Sequence, residues 1–412
     1  MQGLGSRIRQ LRREQKLTLE QLAGDRLTKG MLSLIENGKA QPSMESLHHI
    51  AQQLKVDVSS LLGEEVESFR ELMLEVEELR HLIMSDDPDH KRNAQKIIDK
   101  VTPILHKLQT NRYEHIRIKE IYLKAVAIAT EIVDKHAFYH IVDCYEDIHA
   151  YSSLLNCYSF LCWRAYDQGN LEQALEFLLQ AEKRVRPYWL IISDISQINL
   201  FYNLMFMYYA VSDGENGALY KEKLLKVAHE KKIYYKMDDF YRLLFGQAIS
   251  EYRFEESMVY FKKLHLITKV MEEDEIVFFY LFCRAHYLNT VEKNYEQVIH
   301  FLRKDVYTRK GKFLELMRDM YKTEESIALY HLEKYEEALA VCENIKISER
   351  CKHRLELCTF YRFVAYRARM YERKGDHESA VRDIIYAFDS VKAYPNNFYT
   401  DFIRTTYKQI MK

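Results

Sequence analysis

The sequence predicts an all-α protein in two parts, a small bundle of five short helices followed by a long array of helical hairpins. Three observations predict it. Glycine and proline number only 12 and 5 in 412 residues, about a third of what ordinary composition supplies. Few turns can be built from that, which excludes a sandwich or barrel. Hydrophobic residues make up 48% of the chain, which excludes disorder and allows a large core. Apolar positions recur at spacings of three and four, the period of a helix with one buried face.

Lys+Arg 60 against Asp+Glu 61 give a net charge of −1, so the chain is neither a basic nucleic-acid coat nor an acidic tail protein. Its seven cysteines include no C-x-x-C pair, which favours reduced, buried thiols over disulfides or a zinc site. The longest apolar runs, 204–211 and 276–283, are eight residues each, short of the roughly 20 that cross a bilayer. The N-terminus, with Arg7, Arg9, Arg12 and Arg13, develops no apolar signal-peptide core. The expected location is the cytoplasm.

Residues 1–63 read as a separate domain. Up to residue 62 they carry nine Lys/Arg and six acids, a charge of +3 that leaves −4 for the rest. Apolar bursts at Ile8/Leu11, Leu19/Leu22/Ala23, Leu32/Ile35, Leu47/Ile50/Leu54 and Leu61/Leu62 mark five helices. Thr18 with Gln21 forms a capping box, Thr28 caps the third helix, Asn37-Gly38 ends it, and Ser43 caps the fourth. Gly24–Leu27 is a tight turn of the kind that sets two short helices steeply across each other.

The run Ile8-x-x-Leu11-Arg12, Leu17-Thr18-x-x-Gln21-Leu22-Ala23, Leu32-Ser33-x-Ile35-Glu36-x-Gly38, Pro42-Ser43, Leu47-x-x-Ile50-Ala51-x-x-Leu54 resembles the helix-turn-helix of the phage-repressor/Xre family. The resemblance implies double-stranded DNA as partner and the helix Thr28–Asn37 as the one that enters the major groove. With Leu32 and Ile35 in the core, Lys29, Gly30, Ser33 and Asn37 face outward. Lys29 can donate to phosphate or guanine, Gly30 permits close backbone approach, and Ser33 can bond a base edge. Thr28 sits at the same helix start. Arg7, Arg13, Lys16, Arg26 and Lys39 are expected to neutralise phosphates. Arg12 and Glu36 stand where the family commonly forms an internal ion pair, so they are assigned to the fold. Binding is expected as a homodimer, since one recognition helix buries little surface.

Residues 64–87 read as an amphipathic linker helix, with a stripe of Val66, Phe69, Leu72, Val76, Leu79 and Ile83. Ser85–Pro88 breaks it, with Asp87 a cap and Pro88 a first-turn residue of the next helix.

From residue 88 to 412 the sequence repeats itself. Turn segments beginning at Gly169, Tyr252, Lys293, Glu333 and Gly375 place Ala174, Ser257, Val298, Ala338 and Ala380 at separations of 83, 41, 40 and 42. The first interval hides one unit, over 195–229, with its turn at Val211–Gly217. Ala94, 80 residues before Ala174, suggests two more. The segments resemble the turn of a tetratricopeptide (TPR) repeat. The resemblance implies seven or eight hairpins stacked as a right-handed TPR-like solenoid, whose first helices line a concave groove suited to an extended peptide.

An Xre-type head followed by a degenerate TPR-like array resembles the RRNPP group, the peptide-pheromone receptors of Gram-positive bacteria. The resemblance implies a cytoplasmic transcription regulator for quorum sensing, switched by a short signalling peptide bound in the groove. The group's Rap relatives, which lack a DNA-binding head, leave a second possibility: an adaptor for a signalling phosphoprotein. Register from the turn segments places Asn156, Trp163, Asn199, Tyr202, Asn203, Arg242, Tyr280, Arg284, Arg362, Tyr366 and Arg369 along the groove. Asparagine both donates and accepts, so it can pair with a peptide backbone. Arg284, Arg362 and Arg369 can grip a carboxylate. Metalloprotease, phosphate-loop and nucleophile-elbow motifs are absent, and the histidines lack metal-ligand spacing. The chain is expected to be no enzyme and to need no cofactor.

Overall fold

The computed structural model describes residues 4–62, 64–84, 89–271, 273–342, 344–345, 347 and 351–412. The expected break at Ser85–Pro88, with its roles for Asp87 and Pro88, and the side chain of Val66 lie outside the described residues. All regular structure among them is helical. The chain divides into two compact units, Met1–Ala150 and Tyr151–Lys412.

The first unit opens with α1 (Leu4–Glu14), α2 (Leu19–Ala23), α3 (Lys29–Glu36), α4 (Met44–Leu54) and α5 (Val58–Leu62). Their apolar bursts meet in one core of Ile8, Leu22, Ala23, Leu32, Ile35, Leu47, Ile50, Ala51, Leu54 and Leu61. Local chemistry sets the ends. Thr18 and Gln21 form the reciprocal capping box, and the side chains of Thr28 and Ser43 accept from the backbone N–H of Met31 and Ser46. Gly5 sits where α1 meets the end of α3: a Cβ there would stand 2.1 Å from the Ile35 carbonyl oxygen. Only glycine permits that approach.

Then come α6 (Glu64–Ile83), α7 (His90–Val101), α8 (Tyr113–Thr130) and α9 (Lys135–Asp147). Glu120 of α8 is wholly buried, yet ionised. Burial opposes its charge, but Lys124, Arg117 and the Tyr145 hydroxyl outweigh burial and hold the carboxyl at about 2. Arg117 also donates to Glu77 at 2.6 Å, tying α8 to α6.

The second unit is an array of six hairpins. In order they are α10 (Tyr151–Asp167) with α11 (Leu171–Val185), α12 (Asp194–Ala210) with α13 (Gly214–Lys231), and α14 (Met237–Ser250) with α15 (Phe254–Met271). There follow α16 (Asp274–Tyr287) with α17 (Tyr295–Phe301), α18 (Lys312–His331) with α19 (Tyr335–Val341), and α20 (Arg354–Arg373) with α21 (His377–Val391). A last helix, α22 (Phe398–Ile410), packs on α20 and α21.

All six turns follow one backbone rule. The residue two before each second helix is left-handed, at Gly169, Ser212, Tyr252, Lys293, Glu333 and Gly375, with φ between 54° and 80°. The residue after it donates its N–H back across the turn, as Asn170 does to Ala165 O at 2.9 Å and Asp376 to Tyr371 O at 3.0 Å. Such a bond closes the first helix. Asp213, Asn294 and Asp376 then cap the second helix with their side chains. The fourth residue of each second helix is buried. The unit hidden in the sequence fills this place with Gly217, where a Cβ would lie 2.5 Å from the Tyr209 ring.

First helices pack on first helices, from α10 through α12, α14, α16 and α18 to α20, forming a continuous inner layer. The end of the chain then turns back across that layer. Arg354 at the start of α20 donates to the Val211 carbonyl at 2.7 Å and to Glu172 at 2.9 Å. His353 packs edge-on against Phe206, with ring centroids 4.6 Å apart. From α22, Asp401 accepts from the Tyr252 hydroxyl at 2.7 Å.

Candidate nucleic-acid interface and repeat-array groove

On α3 the buried positions are Leu32, Ile35 and Glu36. At 100° per residue the opposite side carries Gly30, Ser33, Leu34 and Asn37, flanked by Lys29 and Met31. Thr28 caps the helix with its hydroxyl. Lys29 is exposed, 3.3 Å from the equally exposed Glu20, a contact that water weakens. Gly30 is exposed, and a Cβ there would find only the Thr28 hydroxyl, at 4.0 Å. Ser33 is half-buried. Asn37 is engaged inside the head: its amide donates to Ser33 O at 2.7 Å and its oxygen accepts from Arg9.

Elsewhere in the head, Arg13, Lys16, Arg26 and Lys39 are exposed. Arg26 reaches Glu45 only at 4.0 Å, and Arg7 is half-buried with its Nε unpartnered. The expected internal ion pair is present. Arg12 grips buried Glu36 with two bonds, Nε to Oε1 at 2.6 Å and Nη2 to Oε2 at 2.9 Å, and donates to Leu17 O at 2.9 Å. The hydrogen bonds to Glu36 hold the guanidinium more firmly protonated than usual. Arg9 adds a third bond to the same carboxylate at 3.3 Å.

The groove residues fall into three sets by what they touch. On α10 and α12, Asn156 is exposed, Asn199 half-buried and Tyr202 buried. Trp163 packs on Tyr166 and Phe206, with centroids 5.3 and 5.2 Å away. Asn203 is 2% exposed; its amide lies 3.4 Å from the Ser159 hydroxyl and its oxygen has no partner. On α14 and α16 the side chains meet rings: Arg242 lies 4.2 Å over Phe279, Arg284 4.3 Å over Phe301, and Tyr280 stacks on Phe261 and His265. Arg242 also donates to Asp239 at 2.8 Å.

On α20 the end of the chain is close by. Tyr366 stacks on Phe402 of α22 at 4.3 Å, and Arg369 donates to Thr406 at 2.9 Å and to Gln409 at 2.8 Å. Arg362, 3% exposed, donates to Thr290 at 3.1 Å and lies 3.5 Å from Glu324, leaving its Nε and Nη2 without hydrogen-bond partners. Around it is a buried polar cluster. His286 Nδ1 is 2.8 Å from Glu324, its Nε2 is 3.0 Å from the Tyr399 hydroxyl, and Asn289 donates to Glu324 at 2.7 Å. Burial opposes the Glu324 charge, but His286, Arg362 and Asn289 outweigh it and hold the carboxyl at about 2. Burial lowers the pKa of His286 itself.

Residues 5–64 match the family model of the helix-turn-helix domain. Among solved structures, the chain is similar to PlcR of Bacillus thuringiensis in complex with the peptide PapR7 and DNA, at 17% identity over 71% of this chain and 99% of that one, TM-score 0.39. It is also similar to the SHP pheromone receptor Rgg2 of Streptococcus dysgalactiae, at 17% identity over 70% and 100%, TM-score 0.34. For the apo competence regulator ComR of Streptococcus vestibularis the figures are 16%, 70%, 98% and 0.33. No curated protein sequence matches the chain.

Within the helix-turn-helix head, sequence reasoning passed over Gly5, Arg9, Met31 and Leu34. Leu34 stands between Leu32 and Ile35 in the sequence, and its angle about the helix places it outside. In the array it passed over His286, Asn289 and Glu324. The signal available was the polar run Thr323–Ser326 set between Tyr321 and Ile327, in a helix otherwise apolar on that side.

Proposed function

We propose that the chain is a cytoplasmic transcription regulator that binds double-stranded DNA as a homodimer through α3 of its helix-turn-helix head and is switched by a short signalling peptide held on the inner layer of its repeat array. The head carries the first half: a core seats α3 by Leu32 and Ile35, leaving Lys29, Gly30 and Ser33 turned outward. For the peptide, the supporting observation is that Asn203 and Arg362, both on first helices, are more than nine-tenths buried yet keep polar atoms without partners. Buried polar groups are ordinarily satisfied. A peptide backbone or carboxylate supplies the acceptors and donors these two lack. The resemblance of the head-plus-array order to the RRNPP group supports the same reading.

The test is a DNA mobility shift with the purified full chain and promoter DNA from its own locus, repeated while titrating synthetic short peptides. DNA binding should fall steeply between about 50 and 200 mM salt. One peptide should change DNA affinity, and Asn203→Ala should shrink that change while leaving peptide-free DNA affinity unaltered. A salt-insensitive shift sinks the DNA half. Full peptide response in both Asn203→Ala and Arg362→Ala sinks the peptide site.

A further inference from the structure

The outward side of α3 is not the polar surface that a base-reading helix is usually pictured with. Of its two polar members Ser33 is half-buried, and Asn37, though exposed, is bonded to Ser33 and Arg9. Beside them the same side exposes large apolar side chains. Leu34 and Met31 are 44% and 45% exposed, three residues apart on adjoining turns, so their side chains share one face. Single exposed leucines are common. Two large aliphatic side chains sharing one face of an eight-residue helix call for an occupant.

The relief of the surface narrows what that occupant is. Next to Leu34, one turn toward the helix start, is Gly30, where nothing but the Thr28 hydroxyl lies within 4.0 Å of a would-be Cβ. The backbone is therefore bare one turn away from a projecting leucine. Lys29 lies on the same helix and Lys39 just after it, in a head of charge +3, a field that favours a polyanion. In the major groove guanine offers two acceptors, cytosine a donor and adenine one of each, and none of these gains from a leucine. Thymine alone adds a methyl group.

Taking the DNA-binding reading of α3 as given, we infer that Leu34, with Met31 beside it, is a specificity-determining residue that selects thymine at one position of each half-site by packing on its 5-methyl group, the bare backbone at Gly30 allowing the helix to approach. Lys29 and the surrounding cations then supply affinity without sequence information, which divides the labour on the helix between charge and shape.

The experiment is selection by the full chain from a random duplex library about 30 base pairs long, room for two half-sites one helical turn apart. Wild type, Leu34→Ala and Lys29→Ala are run in parallel. The best wild-type site is then rebuilt with deoxyuridine in place of each thymine in turn, which removes only the methyl. The expected result is one thymine per half-site whose loss of methyl weakens wild-type binding about fourfold, the worth of one buried methyl-sized group. Leu34→Ala should be indifferent to that same change and should select all four bases there. Lys29→Ala should bind more weakly everywhere and keep the wild-type motif. If no deoxyuridine replacement weakens wild-type binding, or Leu34→Ala keeps the wild-type motif, the inference fails and the apolar face belongs to a protein partner. The wild-type series decides this even if the variant does not fold. If neither wild type nor variant enriches any sequence, the DNA-binding reading itself has failed.

Discussion

The head and the array reach a fixed structure by opposite routes. In the head, about 60 residues are held by particular side chains that have no counterpart elsewhere in it: one carboxylate, Glu36, gripped by Arg12 and Arg9, and one glycine, Gly5, that lets two helices touch. In the array one turn geometry is used six times, and the residues filling it differ freely. Glycine, serine, tyrosine, lysine and glutamate all occupy the left-handed position. A small domain buries a modest fraction of its surface and depends on each contact. An array spreads the same burden over repeated contacts between neighbours. The difference teaches that a substitution in the head should act all or none, and one in the array by degrees.

The sharpest test of that contrast is Arg12→Ala. It strands Glu36, 4% exposed, without its bidentate partner. Breaking a buried pair from one side costs about 3–5 kcal/mol, enough to unfold the head alone. Lys29→Ala, on an exposed pair, should stay within about 0.5 kcal/mol. Circular dichroism melting of both variants checks this; equal melting would break the comparison.

Next comes Gly5→Ala. The added methyl meets the backbone carbonyl of Ile35, which cannot rotate away, so a loss near the upper end of the usual 1–3 kcal/mol for overpacking is expected. Gly30→Ala adds the same methyl to open space and should leave the head as stable or slightly more so. Urea unfolding of the two variants gives the difference directly.

In the array the expected effect is graded and set by pH. His353 is wholly buried, accepts a hydrogen bond from Leu355 N on Nδ1, and is pushed by burial down to about 4. Unfolded histidine titrates near 6.5. The folded state therefore binds fewer protons, so stability present above pH 6.5 is lost as pH falls toward 4, by about 2 kcal/mol at pH 5. His353→Gln should flatten that part of the urea-unfolding pH profile. An unchanged slope would remove His353 from the account.

The smallest expected effects are in the turns. Gly375→Ala at φ 79° should cost about 1 kcal/mol, whereas Lys293→Gly, relieving a left-handed lysine at φ 54°, should gain a few tenths to about 1 kcal/mol. Thermal melting that moved the same way in both would mean that the six turns are not equivalent.

These contrasts also show what could be seen in the sequence. The caps Thr18, Thr28 and Ser43 and the burst spacing located all five head helices, because capping and helical periodicity act within a few residues of each other. The array turns were found because left-handed closure and capping recur at a fixed interval; even the hidden unit appears at Val211–Gly217, with glycine in the small-residue place. What could not be seen is what the inner residues touch. His286 meets Glu324 across 38 residues and Arg354 meets Val211 across 143. No local pattern records which helices come face to face. Arg362 was therefore visible as a first-helix arginine, but not as the member of a buried cluster.

The return of the last hairpin across the inner layer changes how the array comes apart. A row of repeats joined only to its neighbours frays from its ends, each unit leaving at its own small cost. Here the sixth hairpin and α22 are fastened to the first three hairpins through Arg354, His353 and Asp401, so they are not held by their sequence neighbours alone. Those contacts must all be released together, which makes opening a single concerted event. It also means that closing waits on the slowest step of assembly, the meeting of segments some 150 to 180 residues apart along the chain.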